Sequence, residues 1–407
     1  MPDSSPFSVA PAAASDHAAP ATTNEIDDLI WDSPEVRERA RSYHRLRRRL
    51  GLGLTAAAVA RQVAFVGLGG ASGLESALRR NLPHPELVAP AYALVTSAIS
   101  IALDLPASYL AGHRVERAYE LTKQSDADWL RQRLLAYGMG TAFRSAALTG
   151  IHHLLRRRPD DWWVIVAAGF IPVSVLTQPI FIRLIMPRFN RFDPLDDEEL
   201  TNRLRALGER VDVPIADVYV MDMSRQTERA NAMFTGMGRN RRIILGDTLT
   251  RSFEPAEVEG VIAHELGHQV NRDIWTLTAI TAAQLTALVA GVHYATRPVL
   301  RRTASTTGIR STDEVAVLAV MGLLSASVAM TLSPLPAFIS RTIERRTDRF
   351  ALELTGDGET YARAMARLGR GNMVDPDPPR WRERLLSSHP PIVERIRKAL
   401  AFAGGRA

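Results

Sequence analysis

The chain has 407 residues, a formal net charge of +6 and no cysteine. The missing thiols exclude disulfides, thiolate metal sites and a cysteine nucleophile, so any metal must be held by His, Asp or Glu. The basic balance is almost all arginine, since Lys123 and Lys398 are the only lysines; it suits nucleic acid or an anionic membrane surface, and the long apolar runs below favour the membrane.

Residues 1 to about 28 are rich in Ala, Pro and Ser, which predicts a disordered tail. No basic start leads into an apolar core there, which argues against a secretory signal. Residues 35–49 carry Arg37, Arg39, Arg41, Arg45, Arg47, Arg48 and Arg49 and predict a basic helix. Four apolar runs follow, at about 50–74, 87–111, 134–155 and 162–187. Each is close to the roughly 20 residues that a helix needs to cross the hydrocarbon. The plainer alternative is a set of buried helices in a large soluble core. Arg61, Asp104 and Arg144 interrupt three of the runs. A charge facing lipid is costly, so these residues are expected to face a protein interior or a watery cavity, or else to pair with one another. His152 and His153 read as membrane-end residues. The arginines abutting the first run place the N-terminus in the cytoplasm. Arg156 to Arg158 and Arg297, Arg301 and Arg302 would then lie on the outer side, against that rule.

Residues 188–272 read as a soluble α/β insert. A helix is expected over Leu195–Val211, with four acids in its first turn. Strands are expected over Asp217–Met223, Asn231–Thr235 and Arg242–Leu245. Then comes Val261-Ile262-Ala263-His264-Glu265-Leu266-Gly267-His268, an H-E-x-x-H pattern. On a helix, positions i and i+4 share a face, so His264 and His268 can offer imidazole nitrogens to one zinc ion. Glu265 follows about 100° round the same turn, within reach of a water on that metal. Pro255, Glu257 and the apolar spacing of Val258, Val261, Ile262 and Leu266 predict a packed helix. Gly267 in its interior hints at a close neighbour.

Two more apolar runs follow, at about 274–295 and 315–339. A helix over about Ser340–Leu354 places Glu344 and Asp348 on one face with Thr347 and Ala351. A His₂Glu set leaves a fourth zinc position open, as catalysis needs. Asp348, one turn on, could fix the tautomer of a ligating histidine. Equally, this could be a surface helix whose acids pair with Arg341, Arg345 or Arg349. Residues 371–380 read as a loop, and a basic helix from about Pro391 closes the chain.

The sequence resembles the type I CAAX prenyl protease family of integral-membrane zinc endopeptidases. The residues that carry this are H-E-L-G-H at 264–268, S-R-x-x-E-R-x-x-D at 340–348, N-A-M-F-T-G at 231–236, R-R-I-I-L-G-D-T-L at 241–249 and S-S-H-P-P at 387–391 with Arg395. E-R-A-Y-E-L-T-K-Q at 116–124 and R-F-N-R-F-D-P-L at 188–195 add to it. The resemblance implies Zn2+ on His264, His268 and Glu344, with Glu265 as general base. It implies that Asn231, Ala232, Met233 and Phe234 form an edge strand onto which a substrate backbone adds. It further implies that His389 and Arg395 line the site, with His389 stabilising the oxyanion; without it, His389 would read as a turn before Pro390. This chain departs from the family in Phe253-Glu254-Pro255 at the helix entry, where Ser-Pro is more usual. It also has Thr347 where Ala is frequent, six counted spans against an often drawn seven, and an additional N-terminal tail.

The expected fold is therefore predominantly α, a multi-span helical membrane protein with a zincin-like α/β metalloprotease domain. The divisions are 1–49 (tail and basic helix), 50–187 (four spans), 188–272 (insert and H-E-x-x-H helix), 273–339 (two spans) and 340–407 (third ligand and C-terminal segment). The expected activity is peptide hydrolysis on a peptide or protein, lipidated or membrane-bound, with the bilayer as partner and no nucleic acid. The alanine and arginine bias points to a GC-rich bacterium, hence the inner membrane, with the catalytic domain on the cytoplasmic side. Rival readings are a heat-shock-type quality-control metalloprotease, which usually has fewer spans before the motif, and an inactive membrane scaffold, which would not need a complete metal set plus Glu265.

Overall fold

A computed structural model describes residues 22–405 except 237 and 377. Part of the expected disordered tail, residues 1–21, lies outside the described residues. The rest of it is corrected: α1 (Thr23–Ile30) is a helix. The Thr22 hydroxyl accepts from the Glu25 N–H, and the Glu25 carboxylate accepts from the Thr22 N–H. This reciprocal cap and two isoleucines a turn apart, Ile26 and Ile30, both buried in the main core, outweigh the polar composition.

The basic stretch and the first apolar run as far as Gly67 form one continuous helix, α2 (Pro34–Gly67), about 50 Å long at 1.5 Å per residue; the run expected to reach residue 74 breaks at Gly69, whose φ is +73°. After α3 (Gly70–Asn81), α4 (Val88–Ser108) passes through a widened turn at Tyr109–Arg114 into α5 (Val115–Ala118). Next come α6 (Asp126–Arg157) and α7 (Trp162–Ile180), the latter followed by a second widened turn at Phe181–Ile185. The helices over Pro34–Gly67, Pro85–Ala118 and Asp273–Thr307 are long and apolar enough to cross a membrane. Two bent pairs, Trp162–Thr177 with Phe181–Arg188 and Val317–Leu332 with Pro334–Thr355, pass the same test together. Arg61 on α2 donates to Asp104 on α4 at 3.0 Å. Two charges in apolar runs thus meet each other, whereas Arg144 is exposed. His152 is buried against the Asp313 carbonyl at 3.0 Å.

The α/β insert is a four-stranded sheet of order β1-β2-β4-β3, comprising β1 (Phe192–Pro194), β2 (Asp217–Met221), β3 (Ala232–Thr235) and β4 (Arg242–Gly246). Three strands fall within the ranges expected for them, apart from one or two residues at their ends; β1, three residues long, was too short to read. β4 runs parallel to β2 and antiparallel to β3, which leaves β3 at an edge. α8 (Glu198–Glu209) is capped by Asp197, whose carboxylate accepts from the Leu200 N–H. α9 (Asp247–Ser252) leads into α10 (Pro255–Val270), the H-E-x-x-H helix. At its unusual entry, Glu254 and Glu257 form the reciprocal cap that Ser would otherwise start.

The remaining helices are α11 (Asp273–Thr307), α12 (Val317–Leu332), α13 (Pro334–Thr355), α14 (Gly358–Gly371), α15 (Arg380–Leu386) and α16 (Ile392–Ala403). Glu344 lies within a helix that begins at Pro334 rather than Ser340, so the sixth run and the expected third-ligand helix overlap. The expected loop at 371–380 ends in α15. One core, including Ile262, Leu266 and Tyr361, joins α10, the sheet, α13, α14 and α16. A second, including Val289, Val292 and Val317, ties the far ends of the long helices together.

Candidate metal centre

α10 and α13 carry the centre. Gly267 explains their closeness: a Cβ there would meet Thr347 Cγ2 at 2.9 Å and the Phe350 ring at 3.0 Å. Thr347, fully buried, satisfies its hydroxyl on the Ile343 carbonyl at 2.9 Å and presents its methyl to that glycine. Across this contact His264 Nε2 lies 3.3 Å from Glu344 Oε2, and His268 Nε2 lies 3.6 Å from Glu344 Oε1. One ligand atom from each of the three residues falls within 4.8 Å of the others. Glu344 is 6 % exposed, and its Oε2 is buried with no hydrogen-bond partner. A buried carboxylate oxygen with no donor of its own is costly. Two imidazoles beside it complete a nitrogen and oxygen donor set that suits a divalent transition metal.

The second nitrogens of the two rings are also held. His264 Nδ1 lies 3.0 Å from Asp348 Oδ1. That carboxylate accepts from Tyr361 Oη at 2.7 Å and from Arg395 Nη2 and Nε at 2.6 and 2.9 Å. His268 Nδ1 lies 2.9 Å from Asp273 Oδ2, and Arg346 donates to the other Asp273 oxygen. Burial alone would depress the His264 imidazole, but the Asp348 and Glu344 carboxylates beside it prevail and push it up to about 9. Glu265 keeps part of its surface open to the cleft, yet burial still raises its carboxyl above the ordinary range.

The alternative of a surface helix fails on its own arginines. Arg345 pairs with Glu394 and Arg349 with Glu353. Arg341 is buried and donates to the carbonyls of Ser387 and Arg384 at 2.6 and 2.7 Å, which fixes the loop that carries His389. His389 Nε2 reaches to 3.5 Å from Glu344 Oε1, with 61 % of its side chain exposed. A cavity of about 340 Å³ opens beside the centre, lined by Asn231, Ala232, His264, Glu265, His389 and Arg395. Met233 and Phe234 continue the same edge strand without lining that cavity.

Sequence reasoning missed Asp273 and Tyr361. Asp273 is 1 % exposed in the first turn of a long apolar helix, a place where an acid also suits the helix dipole, so nothing in the sequence marks it apart. Tyr361 lies on α14, for which no function was read.

Comparison with known proteins agrees with this geometry. The family model for peptidase family M48 matches residues 194–403, and one for the CAAX prenyl protease N-terminal region, five membrane helices, matches 17–191. An uncharacterized metalloprotease of Bacillus subtilis, YhfN, is 26 % identical over 321 residues, covering 78 % of this chain and 74 % of that protein. CAAX prenyl protease 1 of Saccharomyces cerevisiae is 33 % identical over 174 residues, 42 % of this chain and 38 % of that protein. The crystal structure of S. mikatae Ste24p superposes with a TM-score of 0.82 over 92 % of this chain and 90 % of that chain, at 22 % identity, and shares its fold. The buried donor set, the membrane helices and these matches lead to one conclusion: the chain belongs to peptidase family M48, as an integral-membrane metalloendopeptidase.

Proposed function

We propose that the metal is zinc, held by His264, His268 and Glu344, and that the chain cleaves peptides of membrane-bound or lipidated proteins as the CAAX prenyl proteases it resembles are named for doing. The observation that carries this is the convergence of two imidazole nitrogens and one buried, donor-free carboxylate within 4.8 Å, beside an open cleft. When bound, zinc supplies Lewis acidity that brings the pKa of water towards about 7. Glu265 takes the proton from the attacking water and returns it to the leaving amine. Asp348 and Asp273 keep protons on the Nδ1 atoms, so both Nε2 lone pairs face Glu344. His389 at the cleft rim donates to the carbonyl oxygen as it gains charge. Asn231, Ala232, Met233 and Phe234 offer the edge to which a substrate strand adds. Arg395 positions Asp348 and, through it, His264. The divisions 1–49, 50–187, 188–272, 273–339 and 340–407 follow this reading, with the catalytic side facing the cytoplasm of a bacterial inner membrane.

The test is Glu265→Gln in detergent-purified protein. It should keep about one metal ion per chain and lose cleavage of a quenched peptide by about 10²–10⁴-fold. Full activity in that variant removes the general-base role.

A further inference from the structure

A second cavity, of about 450 Å³, shares no lining residue with the metal centre. Its wall includes Arg47, Glu116, Trp129, Arg133, Phe189 and Arg229. Their positions along the chain set its depth. Arg47 lies on α2 just before the first apolar run, and Glu116 lies on α5 just after the second. Trp129 and Arg133 open α6, and Phe189 follows the turn that ends the fourth run. Four apolar runs thus present the same ends to one cavity, the level at which a bilayer's headgroups would meet its hydrocarbon and where Trp and Arg serve as anchors.

The charge there is unbalanced. Glu116 is the one carboxylate in the lining, against three guanidinium groups. It is already engaged by Tyr43 Oη at 2.5 Å and by Arg229 Nη2 at 3.0 and 3.2 Å, and Arg47 Nη1, which donates to the Ala111 carbonyl at 2.8 Å, lies 3.9 Å from it. His113, also in the lining and 2 % exposed, holds Asp126 at 2.9 Å together with Arg117. Among the described residues no carboxylate pairs with Arg133. Its guanidinium lies over the rings of Trp129 and Tyr137, 5.2 and 5.8 Å from their centroids, a geometry that leaves N–H edges free. Two surplus positive charges in the lining, with the Arg133 N–H edges free, ask for an anion with several acceptor oxygens. Ala136 and Phe189 on the same wall give an apolar tail somewhere to lie. The substrate-edge strand β3 contributes nothing to this wall, which argues against a peptide carboxylate.

We propose that this cavity is a binding site for the phosphate headgroup of an anionic membrane phospholipid, held by Arg133 and Arg47 beside Trp129. The full chain, purified in detergent, is titrated with short-chain phosphatidylglycerol, short-chain phosphatidylcholine and inorganic phosphate, with bound lipid counted by native mass spectrometry. One phosphatidylglycerol per chain is expected, bound more tightly than phosphatidylcholine and displaced by inorganic phosphate only in large excess. Arg133→Gln should weaken phosphatidylglycerol binding about fivefold, and the double change with Arg47→Gln about 25-fold. Arg297→Gln, at the opposite ends of the helices beside Asp160, should bind as the parent does. Ala136→Trp fills the apolar side without touching the charges; it should also expel the lipid, and it keeps the test decisive if the arginine variants fail to fold. Unaltered phosphatidylglycerol binding in folded Arg133→Gln or Ala136→Trp would overturn the proposal. So would inorganic phosphate binding as tightly as the lipid, which assigns the site to the free ion. A raised KM for peptide in Arg133→Gln with lipid binding intact would assign it to the substrate instead.

Discussion

The two metal-facing imidazoles are chemically alike and structurally unlike. His264 is tied through Asp348 to α13, α14 and α16, a network in which Asp348 is 4 % exposed, Tyr361 1 % and the Arg395 side chain 11 %. His268 is tied through Asp273 to the first turn of α11, one of the long apolar helices, and the arginine behind it, Arg346, keeps 52 % of its side chain in the open. One ring is thus set by the folded C-terminal segment and the other by a membrane-length helix. With the ligand set proposed above, metal uptake tests whether those two parts are in register. The difference in burial teaches which support the centre cannot lose, because the charge left behind when one partner is removed costs more as water is excluded from it.

Removing the buried support should have the largest effect. Arg395→Ala leaves Asp348 charged, enclosed and without its bidentate partner, and should destabilise the protein by about 3–5 kcal/mol. Thermal unfolding in detergent, with metal content measured in parallel, checks this. A loss below about 1 kcal/mol would remove the asymmetry between the two sides.

Proton linkage sharpens the same contrast. In the metal-free protein the folded-state pKa of His264 is raised to about 9, above the unfolded value of about 6.5. The stability it contributes is therefore fully present below about pH 6.5 and is lost as pH rises through about 9, up to about 3 kcal/mol in all. Chelator-treated protein should melt at a lower temperature at pH 10 than at pH 6.5, and His264→Gln should not show that fall. Metal uptake runs the other way. It must displace the proton, so affinity should climb with pH until about 9.

On the other side, Asp273→Asn keeps the shape and removes the charge that orients His268. Metal affinity should drop about 10–100-fold, measured by competition with a chromogenic chelator. The fold should survive, because Asn still accepts a hydrogen bond from the ring.

What could be read without coordinates divides along the same line. His264, Glu265 and His268 were legible because helical spacing alone puts them on one face. Glu344 and Asp348 shared a face too, but apolar neighbours could not distinguish a metal-facing helix from one paired with Arg341, Arg345 and Arg349. The resemblance favours the first, and in the structure those arginines have other partners. Asp273 escaped because five residues from His268 is not a helical neighbour. It returns to the ring through Arg272, which takes a left-handed φ of 54° and reverses the chain between α10 and α11. Tyr361 stands 97 positions from the histidine it supports, and no local pattern reports such a contact. Strands β2, β3 and β4 lie where strands were expected, whereas α1 did not look foldable from composition, because a cap and two isoleucines are a local signal that averages over a tail conceal.

The smallest effect is expected from Arg346→Ala, and it is the most informative control. Arg346 resembles Arg395 in chemistry and in role: each is a guanidinium on the carboxylate that holds a ligand histidine. If the pairing itself set the energy, the two alanine variants would behave alike. Burial predicts otherwise. Arg346 is half in solvent, so water can replace its N–H groups at Asp273, and the loss should be about 1 kcal/mol or less and should shrink further in high salt. Asp273 keeps its bond to His268, so metal content should stay near one ion per chain. Equal losses for Arg346→Ala and Arg395→Ala, unchanged between low and high salt, would show that the α11 side is as closed as the α14 and α16 side, and the division of labour between the two histidines would fall.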